Sequence, residues 1–378
     1  MNPALAQQIQ ADTQRLAALV PIAWSHLQGA DLLMTGCTGP FGWWLLQRLA
    51  HAQAAEGLAL NSLTLLTRRA DRLHSWLPLF PPLPGLRIVE GDITQLDTLV
   101  GTCTHLIHGA TTSAQETFDG ASSISKFDTL VDGTRAVVRL CRRARPRSVL
   151  FLGSGVVYGA RPGPISEDED THAPSPLDPA SGLALGKRAA EFTLACAAQE
   201  LGFSLTIARC FTFSGPGMPL DVHYALGNFI HQALHEPALV IKGDGTPVRS
   251  YLHLGDAAIW LLRMLDMPMS RAPRVYNVGS DQPVSILELA QLVGSLISPG
   301  KPIHVLGQPG ASVGNVERSV YLPSIERVLK DARLAIWTGL SESVTQTIDV
   351  CLNEPIRRES PDKQKSPAKV FSIQKKDR

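Results

Sequence analysis

The amino-acid sequence predicts an α/β fold in which a doubly wound parallel sheet is followed by a smaller C-terminal lobe of mixed α/β structure. Three observations predict this fold. Short apolar segments alternate with helical segments between residues 31 and 208, which is typical of a parallel sheet covered on both faces. A glycine-rich turn follows the first apolar segment. After Gly215-Pro216-Gly217 the alternation ends, which indicates a second structural unit.

The individual elements follow from the spacing of apolar residues. Residues 1–28 are predicted to form an amphipathic helix, because Leu5, Ile9 and Leu16 recur at helical spacing. Strands are predicted at 32–34, 62–66, 86–89, 106–107, 148–152 and 205–208. Helices are predicted at 41–54, 127–143, 184–201, 224–235, 255–265 and 285–297. The last helix is expected to be capped by Ser285, with Glu288 three residues later.

These elements divide the chain into four parts. Residues 1–28 form an N-terminal helical extension, and residues 29–215, with returning segments after them, form the main domain. Residues 216–353 belong mainly to the smaller lobe. The final part, 354–378, is rich in lysine and arginine and is expected to be a disordered tail.

The composition limits the class of protein. Apolar residues make up 44% of the 378 residues, so a large buried core is expected. The net charge of +1 gives no electrostatic basis for nucleic acid or a membrane surface as a partner. The six cysteines are scattered, which favours reduced thiols and no metal site. Without a signal peptide or a membrane-spanning apolar run, a cytoplasmic location is expected.

The glycine-rich turn runs from Thr35 to Gly42 between the first strand and the first helix. Glycines in such a turn let the backbone approach a diphosphate, and the following helix N-terminus stabilises its negative charge. A purely structural turn is the alternative, because many folds need glycine in turns. The strand–turn–helix–strand context favours a Rossmann-like, dinucleotide-binding domain. The candidate residues are Gly36, Thr38, Gly39, Pro40, Phe41 and Gly42.

Further motifs follow the glycine turn in a characteristic order. They are Gly91-Asp92-Ile93, His108-Gly109-Ala110-Thr111, Gly153-Ser154-Gly155-Val156-Val157-Tyr158-Gly159, Arg209-Cys210-Phe211 and Gly243-Asp244-Gly245. This succession resembles the extended short-chain dehydrogenase/reductase family, in its NAD(P)-dependent nucleotide-sugar epimerase/dehydratase group, over about residues 30–350. The resemblance implies a homodimer and a nucleotide-sugar substrate. It also implies further cofactor contacts from Asp92, Ile93, Ala110, Lys187 and Phe211.

The end of the second strand bears on the choice between NAD and NADP. An acidic side chain there binds the ribose 2′-hydroxyl of NAD, whereas arginine suits the 2′-phosphate of NADP. This chain has Thr67-Arg68-Arg69, and its nearest acid is Asp71. The sequence therefore favours NADP over NAD, with Arg68 as a cofactor-binding candidate. Two solvated surface arginines are the alternative.

The resemblance also implies a reactive Ser/Thr, Tyr and Lys, with the Tyr and Lys four residues apart on one helical face. Ser154 and Lys187 match the serine and the lysine as catalytic candidates, but the usual tyrosine position holds Leu183. Leucine cannot exchange a proton, and a general acid or base contributes roughly 10²- to 10⁴-fold in rate. The candidate replacements are Tyr158, Tyr251 or a water held by Ser154 and Lys187.

Other departures from the family narrow the chemistry. Gly155 and Val156 stand where similar 4,6-dehydratases carry an Asp-Glu pair. Gly217 stands where similar decarboxylases often carry an arginine. Both departures argue against these two reactions, so epimerase-like or reductase-like hydride transfer remains.

The substrate side has four candidates, Thr111, Ser154, Asn228 and Arg249. The planar guanidinium of arginine suits the paired oxygens of a nucleotide diphosphate. These residues favour an enzyme acting on a nucleotide-linked sugar. Leu183 favours the alternative, a catalytically silent binding protein that acts as a sensor or partner subunit. A reductase of a non-sugar substrate is a third possibility.

Overall fold

A seven-stranded parallel sheet is the centre of the computed structural model, which describes residues 3–111, 116, 120–159, 163–169, 174–220, 224–308 and 320–353. Its strands are β1 (Asp31–Thr35), β2 (Ser62–Thr67), β3 (Leu86–Glu90), β4 (His105–His108), β5 (Ser148–Ser154), β7 (Ser204–Cys210) and β12 (Arg274–Val278). They lie in the order β12-β7-β5-β4-β1-β2-β3, so the chain winds outwards from the boundary between β1 and β4. Ligands of doubly wound sheets bind at this boundary. The predicted fold class is confirmed.

Helices cover both faces of the sheet. The first face carries α1 (Pro3–Leu19), α2 (Pro40–Ala55), α3 (Ala70–Trp76), α8 (Leu254–Leu265) and α10 (Glu326–Ala332). The second face carries α4 (Leu96–Leu99), α5 (Ser123–Ala144) and α6 (Gly182–Leu201). Because strand side chains alternate, Leu32 and Met34 enter the first core and Leu33 enters the second. The strands are buried on both faces for this reason.

The N-terminal helix is shorter than predicted, since α1 ends at Leu19 and not near residue 28. Pro21 explains the difference, because a proline disfavours helical geometry at the preceding residue. The helix is nevertheless part of the main domain. Leu5, Ile9 and Leu16 are buried in the first-face core.

Polar contacts join α1 to the end of the described chain. Arg15 donates to Thr338 Oγ1 at 2.9 Å, and Gln346 donates to Asp12 Oδ1 at 2.8 Å. Gln346 lies on α11 (Leu340–Leu352). The N-terminal helix and the last described helix therefore stabilise each other.

The smaller lobe has its own sheets and core. A mixed four-stranded sheet has the order β13 (Val284–Ser285), β10 (Val248–Arg249), β15 (Val320–Pro323) and β6 (Pro164–Ile165). Two short pairs complete it, β8 (Phe213–Ser214) with β11 (Leu252–His253), and β9 (Leu239–Ile241) with β14 (Ile303–Val305). The helices α7 (Ala225–His235) and α9 (Ile286–Ile297) pack on each other. The predicted capping box of Ser285 and Glu288 at the start of α9 is confirmed.

The structure bears on two further expectations, a membrane-spanning helix and the C-terminal tail. Among the described residues, no helix has the length and apolar character needed to cross a membrane. The predicted tail, 354–378, lies outside the described residues.

The packing of α1 leads to a stability prediction. Ile9 is 0% exposed and Leu19, on the same helix, is 58% exposed. We expect Ile9→Ala to lower the free energy of unfolding by about 2–4 kcal/mol, because it removes buried methyl groups and leaves a cavity. Urea unfolding of Ile9→Ala and of the control Leu19→Ala measures the difference. Equal stability of the two variants would contradict the packing of α1 on this core.

Candidate active site

A cavity of about 830 Å³ lies at the carboxyl edge of the parallel sheet, between the sheet and the smaller lobe. Its walls include the turn after β1, the ends of β2, β5 and β7, and the start of α7. Fourteen of the residues predicted for cofactor, substrate or catalysis line it. They are Gly36, Thr38, Gly39, Pro40, Phe41, Arg68, Asp92, Ile93, Ala110, Thr111, Ser154, Lys187, Phe211 and Arg249. Leu183 also lines the cavity.

Two predicted site residues are not part of the lining formed by the described chain. Gly42 lies in the first turn of α2, where a Cβ would come 2.0 Å from Cys37 O. It therefore packs against the backbone of the glycine-rich turn and does not face the cavity. Asn228 is half-buried on α7, whereas Leu226, Gly227 and Ile230 of that helix line the cavity. Consecutive side chains of an α-helix point about 100° apart. Asn228, the residue after Gly227, therefore lies beside the face of α7 that lines the cavity.

The turn after β1 packs directly on the end of β4. Gly36 has a φ of +76°, and a Cβ there would lie 2.5 Å from the backbone of Gly109. The Thr35 hydroxyl oxygen accepts hydrogen bonds from the backbone N–H groups of Gly109 and Ala110, both at 3.2 Å. Only glycine fits this approach without strain. The turn is therefore fixed at the boundary where the strand order reverses.

The N-terminus of α2 opens into the cavity. Gly39 is its N-cap, no side chain caps it, and Pro40 occupies its first turn. The first N–H groups of a helix lack intrahelical partners and attract negative charge. Nearby, Thr111 Oγ1 is buried and has no hydrogen-bond partner among the described residues. These features fit a dinucleotide diphosphate.

The two arginines at the end of β2 differ in their surroundings. Arg68 lines the cavity and forms an ion pair with Glu116 at 2.9 Å. Arg69 donates two hydrogen bonds to Asp71, each 3.0 Å long. The nearest acid after β2 is thus held by Arg69. Asp92, at the end of β3, caps a short turn by accepting from Thr94 N at 2.9 Å.

Lys187 is buried at the inner end of the cavity. Its Nζ donates to Leu152 O at 2.6 Å and lies 4.9 Å from the centre of the Phe151 ring. Burial lowers the pKa of Lys187 to about 8, while Cys210 and Glu191 raise it by less. The ammonium is therefore charged at neutral pH and loses its proton as the pH rises through about 8. Such a pKa places Lys187 in the range useful for proton chemistry.

Tyr158, Tyr251 and Tyr321 differ in whether they line the cavity. Tyr158 is buried away from the lining and donates to Asn277 Oδ1 at 2.8 Å. Tyr251 lines the cavity from the smaller lobe. Tyr321 also lines it, with its hydroxyl close to Gly155 and its ring centre 4.7 Å from that of Phe211. Tyr321 was not among the sequence candidates.

The two-residue strand β10 brings Arg249 to the cavity beside Tyr321. β10 and β15 pair in parallel, with Arg249 opposite Tyr321. Arg249 donates to Val248 O at 2.7 Å. The pairing of β10 with β15 thus places the Arg249 guanidinium and the Tyr321 phenol on the same wall of the cavity.

Comparisons with known proteins agree with this geometry. The family model "NAD dependent epimerase/dehydratase family" matches residues 32–279. UDP-glucuronic acid decarboxylase 6 of Arabidopsis thaliana is 26% identical over 276 residues, which are 73% of this chain and 76% of that protein. The dTDP-4-dehydro-6-deoxy-D-allose reductase of Streptomyces bikiniensis is 25% identical over 327 residues, 83% of this chain and 95% of that protein.

Solved structures include proteins with the same fold. UDP-N-acetylglucosamine 4-epimerase from Methanobrevibacter ruminantium M1 superposes with a TM-score of 0.70 and 18% identity, covering 86% of this chain and 99% of that chain. At this identity the likeness concerns the fold. Because the family model spans most of the chain, the family predicted from the motifs is confirmed. The chain belongs to the NAD-dependent epimerase/dehydratase family.

Proposed function

We propose that the chain is an NAD(P)-dependent enzyme that transfers hydride at a carbon of a nucleotide-linked sugar, in an epimerase-like or reductase-like reaction. The observation that carries the proposal is the single cavity that joins the glycine turn, Ser154 with Lys187, and Arg249. A dinucleotide and a nucleotide sugar would each find charged or hydrogen-bonding partners in it. The relatives that match over most of their length are nucleotide-sugar enzymes by name.

The residues have distinct roles in this proposal. The turn with Gly36 and the N-terminus of α2 would hold the cofactor diphosphate, and Lys187 the nicotinamide ribose. When bound, the nicotinamide would supply or accept the hydride. Ser154 would orient the reacting sugar oxygen, and Arg249 would bind a phosphate of the substrate. Lys187 has to turn from Leu152 O to reach a ribose hydroxyl.

Two activities of the wider family fit less well. The resemblance puts an arginine of decarboxylases at Gly217, whose φ is +92° and where a Cβ would come 2.7 Å from the Trp43 ring. An arginine has no space there. Gly155 likewise lacks the carboxylate expected of a 4,6-dehydratase.

A catalytically silent binding protein is the second candidate function. The observation that favours it is Leu183, which lines the cavity one helical turn before Lys187, where the family resemblance implies a tyrosine. Such a protein would bind the dinucleotide at the glycine-rich turn but would not convert a substrate.

A turnover assay discriminates these functions. We expect the protein with NAD(P)H or NAD(P)⁺ to convert at least one UDP-, dTDP-, GDP- or CDP-linked sugar or keto-sugar. The absorbance of reduced nicotinamide and mass spectrometry of the sugars give the readout. Tight cofactor binding with no conversion across this panel would favour the silent binding protein.

We also propose that the cofactor is NADP, because Arg68 lines the cavity at the end of β2 and the nearby acid, Asp71, is held by Arg69. Arg68→Ala is expected to weaken NADP binding by about tenfold, the loss typical of a charged hydrogen bond, and to leave NAD binding unchanged. Calorimetry measures both affinities. Arg72→Ala, which removes an exposed arginine that is not among the lining residues, is the matched control, and an equal effect of the two variants on NADP would contradict the assignment.

A homodimer through α5 and α6 is a further part of the proposal. Ile124 on α5 is 74% exposed and Phe192 on α6 is 72% exposed, so two large apolar side chains face outwards from this helix pair. Exposed apolar patches of this kind mark association surfaces.

The dimer proposal predicts that Phe192→Glu converts a dimer to a monomer in light scattering, because a buried carboxylate is costly at an interface. Met269→Glu is the control, since Met269 is 58% exposed outside these helices. A wild-type monomer, or a Phe192→Glu dimer, would contradict the proposal.

A further inference from the structure

We propose that Tyr321 is the catalytic proton donor of this site, and that it protonates the carbonyl oxygen of a nucleotide-linked keto-sugar as hydride reaches the carbonyl carbon. The inference rests on the proposed hydride transfer and names the group and the direction of that reaction. It is carried by the position of the Tyr321 hydroxyl, which lies over Gly155, the chain neighbour of Ser154, in the cavity that Ser154 and Tyr321 both line.

The tyrosines of the chain differ in whether their hydroxyls can reach the cavity. The chain has five tyrosines, and the structure describes all of them. Tyr158 donates to Asn277, and Tyr276 donates to Asp331 at 3.2 Å, so both hydroxyls have partners outside the cavity. Tyr224, Tyr251 and Tyr321 line the cavity.

The Tyr321 hydroxyl lies next to the part of the chain that carries Ser154. In the proposed site, Ser154 orients the reacting oxygen, so the proton donor has to lie near it. Among the described tyrosines, Tyr321 is the one with its hydroxyl over Gly155, the chain neighbour of Ser154, and Ser154 lowers its pKa. Tyr251 belongs to the core of the smaller lobe, and its pKa shows an effect of Arg249 but none of Ser154.

The backbone at Gly155 makes room for the Tyr321 hydroxyl. A Cβ at Gly155 would lie 2.6 Å from Tyr321 Oη and 2.8 Å from the Phe211 ring. Any other residue at this position would displace the phenol. Gly155 and Tyr321 therefore depend on each other, and Leu183, which also lines the cavity, brings no hydroxyl to it.

The surrounding charges indicate the direction of proton transfer. Burial raises the pKa of Tyr321 above its usual range, and Ser154 and Arg249 lower it by less, while Cys210 and Tyr158 raise it further. Tyr321 thus keeps its proton at neutral pH, which suits a donor to a carbonyl and not a base that removes a hydroxyl proton.

The proposed step balances as a ketone reduction. The carbonyl carbon gains the hydride that the reduced cofactor supplies, the C=O double bond becomes a single bond, and the oxygen gains the proton of Tyr321. The sugar is reduced to an alcohol, the cofactor is oxidised, and the phenolate regains its proton from water. No other co-reactant is needed.

The test compares Tyr321→Phe with the matched control Tyr276→Phe, each of which removes one tyrosine hydroxyl and keeps the ring; the Tyr276 hydroxyl lies outside the cavity, on Asp331. With a keto-sugar that the wild type reduces, Tyr321→Phe is expected to lower kcat about 10²-fold or more, the usual contribution of a general acid. KM and the affinity for NADP should change less than about threefold, since the hydroxyl acts mainly in the transition state. Tyr276→Phe should keep kcat within the same factor.

The pH profile separates a proton donor from a structural residue. Without the Tyr321 hydroxyl the proton has to come from solvent. The kcat of Tyr321→Phe should therefore fall about tenfold for each unit of increasing pH between 6 and 8. The wild-type kcat should stay nearly constant in that range. A Tyr321→Phe variant with wild-type kcat, or a parallel pH profile of the two proteins, would overturn the proposal.

A binding arm keeps the inference testable if no sugar of the panel is converted. In calorimetry, Tyr321→Phe should weaken the nucleotide sugar that the wild type binds best by about three- to tenfold, the effect of one hydrogen bond. Binding of the free nucleoside diphosphate should not change. If no sugar is converted but Tyr321→Phe weakens nucleotide-sugar binding in this way, the proposed function is contradicted and the placement of Tyr321 beside the sugar is supported. If sugar binding is also unchanged, the placement of Tyr321 is overturned as well.

Discussion

The close approach of the turn after β1 to the end of β4 is the constraint on which the site depends. Gly36 touches the backbone of Gly109, and the Thr35 hydroxyl oxygen accepts from the two N–H groups that follow β4. These contacts fix the turn at the point where the strand order reverses. The N-terminus of α2 then faces the cavity, and the parallel strands bring the residues that follow them to the same edge.

The parts of the structure that could be predicted from the sequence are those governed by local periodicity. Six of the seven parallel strands and the six helices predicted after residue 40 occur where apolar spacing predicts them, whereas β12 and α11 were not predicted. The turn residues occur where the resemblance implies them. The errors have local causes. α5 begins at Ser123 and not at Phe127, because the Ser122 side chain accepts from Ser125 N and caps the helix earlier. α1 ends early because of Pro21.

Tyr321 could not be predicted in this way, because nothing local marks it. It lies on the four-residue strand β15, whose partner β10 has two residues, and strands this short carry no readable alternation. Their pairing depends on the packing of the smaller lobe against the sheet. Asn228 illustrates another limit of the sequence, since a motif gives its position in the chain but not the face of α7 to which it points, and it is not among the residues that line the cavity.

The energetics of the inner cavity show what its polar groups cost. Lys187 holds a charge in a buried position, where burial lowers its pKa to about 8, so the folded protein is destabilised by that charge at neutral pH. A bound nicotinamide ribose would explain this charge in an enzyme and in a silent binding protein alike, so Lys187 does not separate the two functions. The phenol of Tyr321 is half-buried, and it fits only because Gly155 lacks a side chain. Binding a dinucleotide gives no reason for a hydroxyl at this place, next to the chain segment of Ser154. The proposed proton donor accounts for that hydroxyl, and with Tyr321 in this role the site needs no tyrosine in place of Leu183.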